Sequence, residues 1–201
     1  IWDNARGFVS QIQQYLGDDS ELSRLFGQFR PNSRGGNAWG RDGIFIRQRT
    51  RPQAAGTVVA TGIERTQTSQ HYDLIILDDL VSEENIRTKE QREKVKTYFK
   101  NCQSLLDPGG QTWVIGTTWH EDDLYNELRF PKDEYGDSLP SFFKVHRRTA
   151  LEPPNFIEGK PIHPKRFSIE ELKRIKIKAG IFKFSSQYML DPYPEESVSF
   201  R

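Results

Sequence analysis

The sequence predicts an α/β fold built on a parallel sheet, and three observations carry that expectation. The first is the run Tyr72-Asp73-Leu74-Ile75-Ile76-Leu77-Asp78-Asp79, four large aliphatics in succession closed by two acids. Such a run suits a strand in the middle of a parallel sheet, covered on both faces. The second is Trp113-Val114-Ile115, an apolar strand that runs into Gly116-Thr117-Thr118-Trp119-His120. The third is the segment between them, which opens on a capping box and keeps helical spacing. Strand, long helix and adjacent strand form a βαβ unit, expected to cross over right-handed, and its parallel neighbours end at one edge. Carboxylates at the carboxyl end of such a strand lie where open α/β sheets bind ligands. A hard cation with bound phosphates uses a pair of carboxylates there, so the pattern suggests a nucleotide-hydrolysing sheet.

The other elements follow in order. Phe8, Val9, Ile12 and Leu16 have helical spacing within residues 2–16. Ser20 caps a short helix through Leu25 and Phe26 that stops at Gly27. Residues 30–43, rich in Gly, Arg, Asn and Pro, read as loop. Ile44–Ile46 and Thr57–Ala60 read as strands separated by a basic turn with Arg47, Arg49 and Arg51, and residues 64–71 as a polar loop. Thr88-Lys89-Glu90-Gln91 opens the long helix, expected to run to about Leu106 with Val95, Tyr98, Phe99, Cys102 and Leu106 buried, and Asp107-Pro108-Gly109-Gly110 to end it. A short helix is expected over residues 121–130 with acids in its first turn, and a strand over Phe142–His146. After Ala150 the composition shifts to a Pro-rich connector. Ser168-Ile169-Glu170-Glu171 then caps a helix to Gly180, followed by another around residues 182–190.

The bulk numbers narrow the class. A chain of 201 residues can bury a real core, and 35% hydrophobic with 28% charged residues indicates a soluble globular protein. No stretch approaches the ~20 apolar residues of a membrane span, and no leader pattern opens the chain. One cysteine, Cys102, excludes an internal disulfide and the common Cys-rich zinc sites. A net charge of +1 makes overall charge a poor argument for nucleic-acid binding, so any such contact must come from local patches. With Met189 as the single methionine and Ile1 first, the chain reads as a piece of a longer polypeptide.

In a phosphate-hydrolysing sheet the first acid, here Asp78, holds Mg²⁺, and the second, Asp79, polarises the attacking water. Either acid can instead cap the following turn. Thr117 and Thr118 can reach a terminal phosphate or its water, or simply serve as an N-cap. His120, Asp122 and Asp123 are spaced wrongly for one helix face, which favours a turn residue and dipole partners over a metal cluster. The basic clusters His146-Arg147-Arg148, Lys165-Arg166 and Lys173-Arg174-Lys176-Lys178 read as a solvated face or as contacts to a DNA backbone.

Asp73–Val81 followed by Val114–Leu124 resembles the large terminase subunit of tailed phages and prophages, where these segments are the Walker B and coupling motifs of a DNA-packaging ATPase. Trp39, the Ile46–Arg51 segment, Gly62 and Phe184-Ser185-Ser186-Gln187-Tyr188 before Pro192 fit the same flow, so the resemblance covers most of the chain. It implies a P-loop NTPase-like core of the RecA type, incomplete on its N-terminal side, with a small C-terminal helical lid or linker region. Residues 1–150 would be the partial ATPase core and residues 151–201 the lid or linker leading to an absent nuclease domain. It implies ATP and Mg²⁺ as cofactors, with Asp78 on the metal and Asp79 in place of the more usual glutamate. Thr117 and Thr118 would couple phosphate loss to movement, and Thr117 would also touch nucleotide. Arg65 would complete a neighbour's site in trans, ahead of Arg47, Arg49 and Arg51. Implied partners are double-stranded DNA, a small terminase subunit, a portal protein and further copies in a ring, with no membrane, in the cytoplasm of the bacterial host.

One departure stands out. No Gly-Lys-Ser or Gly-Lys-Thr loop occurs, and Arg34-Gly35-Gly36-Asn37 lacks the lysine. The isolated chain is therefore expected to bind ATP weakly or not at all. Two other classes stay open on the residues alone: a metal-dependent nuclease using Asp78 and Asp79 with Asp122 or Asp123, and a non-catalytic nucleotide-fold module for oligomerisation or DNA binding.

Overall fold

Trp2–Tyr15 form a helix, α1, because Val9, Ile12 and Leu16 recur at helical spacing and meet a small apolar cluster with Ile44 and Ala60. Phe8, expected on the same face, is half exposed. Ser20 accepts from the Ser23 N–H at 3.0 Å and opens α2 (Glu21–Phe26), which Gly27 ends. The computed structural model describes residues 2–32, 39–50, 55–63 and 70–192. They fall into two compact units, Ile1–Ile75 with Asn101–Trp113 and Ile76–Lys100 with Val114–Arg201.

In the first unit, β1 (Trp39–Gly40), β2 (Gly43–Ile44) and β3 (Val58–Val59) form a small antiparallel sheet in that order. The loop expected over residues 30–43 thus contains a two-residue strand and a tight hairpin; the strand predicted at 44–46 shifts to Gly43–Ile44, leaving Phe45 and Ile46 outside it, and the one predicted at 57–60 shortens to Val58–Val59. Trp39 pairs with Ile44, which is fully buried, so packing rather than propensity fixes this hairpin.

The βαβ reading holds for β4 (Tyr72–Asp78), α3 (Lys89–Gln103) and β5 (Leu106–Ile115). The Tyr72 N–H donates to the Leu105 carbonyl at 2.9 Å and the Asp79 N–H to the Ile115 carbonyl at 3.0 Å, so the strands run parallel. The capping box is present on both sides: the Thr88 N–H donates to Gln91 Oε1 at 3.1 Å, and the Gln91 N–H to Thr88 Oγ1 at 3.3 Å. Residues 107–110 do not end the helix. They lie inside β5, because pairing with the start of β4 begins at Leu105 and Gly109 at φ 84° absorbs the turn within the strand.

The expectation of a strand covered on both faces is corrected. Leu77 is 5% exposed, but Leu74 and Ile76 are 44% and 54% exposed, and Trp113 and Ile115 both 53%. Successive residues of a strand face opposite sides, and only one side of this two-stranded sheet is covered among the described residues.

In the second unit α4 (Leu124–Arg129) begins later than expected, with Asp123 as its N-cap. Phe142–His146 is not a strand: Phe142 and Val145 face solvent, Phe143 packs on Phe99, and no neighbouring strand pairs with the segment among the described residues. β6 (Leu151–Glu152) and β7 (Lys160–Pro161) pair antiparallel in the Pro-rich connector. Ser168 caps α5 (Ile169–Phe184), whose Glu171 N–H donates to Ser168 Oγ at 3.2 Å. Gly180 breaks the helical backbone at φ 80° and ψ 162°, where the sequence placed the end of one helix, and Ser185–Met189 continue as a π-helical turn. Leu151, Leu172, Phe184 and Met189 form the core of this region, with the Phe184 and Tyr188 rings stacked at 5.1 Å.

Candidate functional site

Both acid-bearing and hydroxyl-bearing strand ends lie in the second unit. β4 stops because Asp79 adopts a left-handed backbone, φ 46°, a conformation that Asp tolerates better than most residues. The hydrogen bond from its N–H to Ile115 puts it beside the last residue of β5, two positions before Thr117. Leu80 and Val81 are buried behind it, and Asn85 ties the segment down by donating to the Leu80 carbonyl at 2.8 Å and accepting from the Ser82 N–H at 2.9 Å. Asp78 and Asp79 are exposed, and no cation pairs with either carboxylate among the described residues. Desolvation, with the Asp78 charge second, pushes the Asp79 carboxyl above the usual aspartate range.

Tyr125 braces the two strand ends. Its hydroxyl donates to the Ile115 carbonyl at 3.2 Å and accepts from the Val81 N–H at 3.4 Å. Burial, with the charges of Asp79 and Asp123 behind it, pushes the phenol up, so it stays a neutral donor. The hydroxyl packs so closely on Gly116 that a Cβ there would overlap it.

Beyond Gly116, Thr117 is half-buried and Thr118 buried. The turn that follows is built on Asp123, which is 1% exposed and accepts from the N–H groups of Trp119 at 2.8 Å, His120 at 3.2 Å and Asn126 at 2.9 Å. Burial raises its carboxyl despite those donors. His120 Nδ1 accepts from the Asp122 N–H at 2.9 Å, which makes it a turn residue. Asp122 receives Lys96 Nζ at 2.6 Å and Arg92 Nε at 3.1 Å. The side chain of Lys96 is 6% exposed and also reaches Glu93 and Glu127, each at 3.1 Å, so α3 is bolted to the turn and to α4. Trp119 is buried with its ring 6.3 Å from that of Phe182, and Lys183 pairs with Glu83 at 2.8 Å. The far end of α5 thereby touches the segments after both strand ends.

The Asp79–Ile115 bond puts the backbone of the Asp78–Asp79 strand end beside the end of β5, from which the chain runs on to Thr117 and Thr118. Asp122 and Asp123, the extra acids of the nuclease alternative, are engaged by cations and backbone donors. Among the described residues no group of three His, Cys, Asp or Glu side chains converges as a metal site. The free Asp78/Asp79 pair fits a Mg²⁺ ion that keeps waters and phosphate oxygens as its other ligands. Arg65 and Arg51 lie outside the described residues. Arg47 and Arg49 belong to the first unit, where Arg49 stacks 5.2 Å over the Phe45 ring and donates to the Ala55 carbonyl. Arg147 donates to the carbonyls of Met189 and Leu190, and Arg148 forms a two-pronged pair with Glu152 at 2.8 and 2.9 Å.

Tyr125 and Lys96 were missed from the sequence. The glycine at a crowded strand end was the one hint of Tyr125, and nothing distinguishes Lys96 from the other lysines of its helix.

No protein-family profile matches the chain. A curated relative, the large terminase subunit of Enterobacteria phage T3, is 28% identical over 162 residues, which cover 71% of this chain and 27% of that protein. The chain thus spans about a quarter of the length of this relative. The ordered motifs at the two strand ends and this similarity agree, and the resemblance of the chain to large terminase subunits is shown.

Proposed function

We propose that this chain is the Walker B and coupling portion of a viral DNA-packaging motor, an ATPase with a P-loop NTPase-like core that drives duplex DNA into a procapsid. The observation that carries the reading is the hydrogen bond from the Asp79 N–H to Ile115, which supports acids and hydroxyls acting at one edge. Asp78 would hold Mg²⁺, which when bound with ATP neutralises charge developing on the phosphates. Asp79 accepts the proton of the attacking water, a task to which its raised proton affinity is suited. Thr117 and Thr118 sense the terminal phosphate, and the turn beyond them carries the change through Trp119 to α5. Arg65 acts on the site of a neighbouring copy in a ring. Residues 1–150 serve as the ATPase core and residues 151–201 as lid or linker. The motor works with a small terminase subunit and a portal protein in the host cytoplasm.

The similarity to the T3 protein supports this reading over the metal-dependent nuclease, as do the prior engagements of Asp122 and Asp123. The test joins this chain to a phosphate-binding loop in one polypeptide and measures ATP hydrolysis. Asp79→Ala is expected to lower kcat ~10²–10⁴-fold. Asp78→Ala should abolish the dependence on Mg²⁺ together with turnover. Normal hydrolysis by both variants sinks the reading.

A further inference from the structure

Charge is distributed very unevenly along this chain. Residues 160–183 hold eight Lys and Arg against two Glu, a local charge of +6 in a chain whose total is +1. Most of this excess lies on α5 and the turn before it. Helical geometry puts Lys173 with Ile177, and Arg174 with Lys178, one turn apart on neighbouring rows. All of these residues are exposed, Ile177 to 83%. Arg174 has a loose carboxylate partner, Glu171 at 3.6 Å, while Lys165, Lys173 and Lys178 have no ion pair among the described residues. Like charges one turn apart destabilise an isolated helix, so the arrangement gains from an external polyanion.

We infer that this face of α5, formed by Lys173, Arg174 and Lys178 and extended by Lys165 and Arg166 ahead of the cap, binds the phosphate backbone of duplex DNA. The chemistry of the face selects this partner. A lipid surface would need a broad apolar side, and here the exposed apolar residues are Ile177 and Ile181, divided by the non-helical Gly180. A single strand would need exposed rings on which bases stack, and the aromatic residues beside α5 are turned inward instead. Phe184 stacks on Tyr188 and on Phe156, at 5.1 and 5.6 Å. Phosphate charges on a rigid duplex need neither. The position of the helix adds a second argument. Just beyond the break at Gly180, Phe182 packs on Trp119 and Lys183 pairs with Glu83, so the chain leaving this face reaches the segments after Asp79 and Thr118 within a few residues.

The inference deepens the motor reading by naming where the duplex is held, and its test needs no nucleotide. Binding of a labelled short duplex to the 201-residue chain is measured by fluorescence anisotropy across a salt series. Lys173→Gln/Lys178→Gln is expected to weaken binding at least ~10-fold and to reduce the salt slope by about 1.8, the sum of two phosphate contacts. Lys173→Arg/Lys178→Arg should retain binding, and the control Lys89→Gln/Lys94→Gln, two exposed lysines of α3, should leave it unchanged. Circular dichroism checks that each variant is folded. The inference is overturned if the chain does not bind duplex, if the α5 and control pairs lose affinity equally, or if the α5 pair binds like the parent. Equal or tighter binding of single strands or of anionic phosphatidylglycerol vesicles overturns it too. Duplex binding is read here without nucleotide, and hydrolysis is read separately in the chain joined to a phosphate-binding loop, so the two readings fail separately.

Discussion

The backbone and side chain of Asp79 both work against the folded state. Its carboxylate is disfavoured by desolvation and by Asp78, and its φ of 46° is one that L residues seldom adopt. A carboxyl whose folded pKa is raised takes up its proton more readily folded than unfolded. Its ionisation therefore lowers stability above the folded pKa, and that penalty disappears as pH falls below the unfolded value of ~3.9. Asp79→Asn, a residue even more at ease in the left-handed region, should raise the Tm of the chain at pH 7. The gain should shrink as pH is lowered towards 3.5, which thermal melts across that range will show. A lower Tm at pH 7 would contradict this account. On the proposed function, the same substitution should lower ATP hydrolysis ~10²–10⁴-fold, the trade-off expected where function would hold a residue in an unfavourable state.

Among the elements, α3 illustrates how far periodicity reaches. The capping box and the buried Val95, Phe99 and Cys102 were legible because both are local patterns. The ion cluster on its other side was not, since the partners of Lys96 arrive from Asp122 and Glu127, some thirty residues on. Burial opposes the charge of Lys96, but bonds to Asp122, Glu93 and Glu127 outweigh it and raise the ammonium above its usual range. Burial likewise opposes ionisation of Asp122, and bonds from Lys96 and Arg92 outweigh it and lower the carboxyl. A lowered folded pKa contributes stability above the unfolded value of ~3.9 and loses it as pH falls through the folded one. Lys96→Met should cost about 1–2 kcal/mol at pH 7, discounted for the solvent around the carboxylates. It should also flatten the acid-side fall in stability, measurable by urea titration between pH 6 and 2.5. In β4, the unequal burial of adjacent aliphatics makes a sharper test. Leu77→Ala should cost ~2–5 kcal/mol and Ile76→Ala less than ~1 kcal/mol in this chain. Equal losses would mean that both faces of the strand are covered.

For the whole molecule, what the sequence revealed was order rather than extent. The succession of acid-ended strand, helix and hydroxyl-ended strand was readable because each part has its own short-range signature. The parallel pairing confirmed it. Short antiparallel pairs such as Trp39–Gly40 with Gly43–Ile44 and Leu151–Glu152 with Lys160–Pro161 escaped notice, since two residues carry no alternation. The supposed strand at Phe142–His146 erred the other way: aromatic and branched residues favour extended backbone, but a strand exists only where another pairs with it. Tyr125 belongs to the same class of long-range facts, joining Val81 to Ile115 through one hydroxyl.

Trp119 has one more consequence. Its indole is 7% exposed and lies next in sequence to Thr118, while Trp113 is 53% exposed. The turn therefore contains its own optical gauge. Any event that loosens the segment from Phe182 admits water to this ring and moves its fluorescence to the red, with no dye attached.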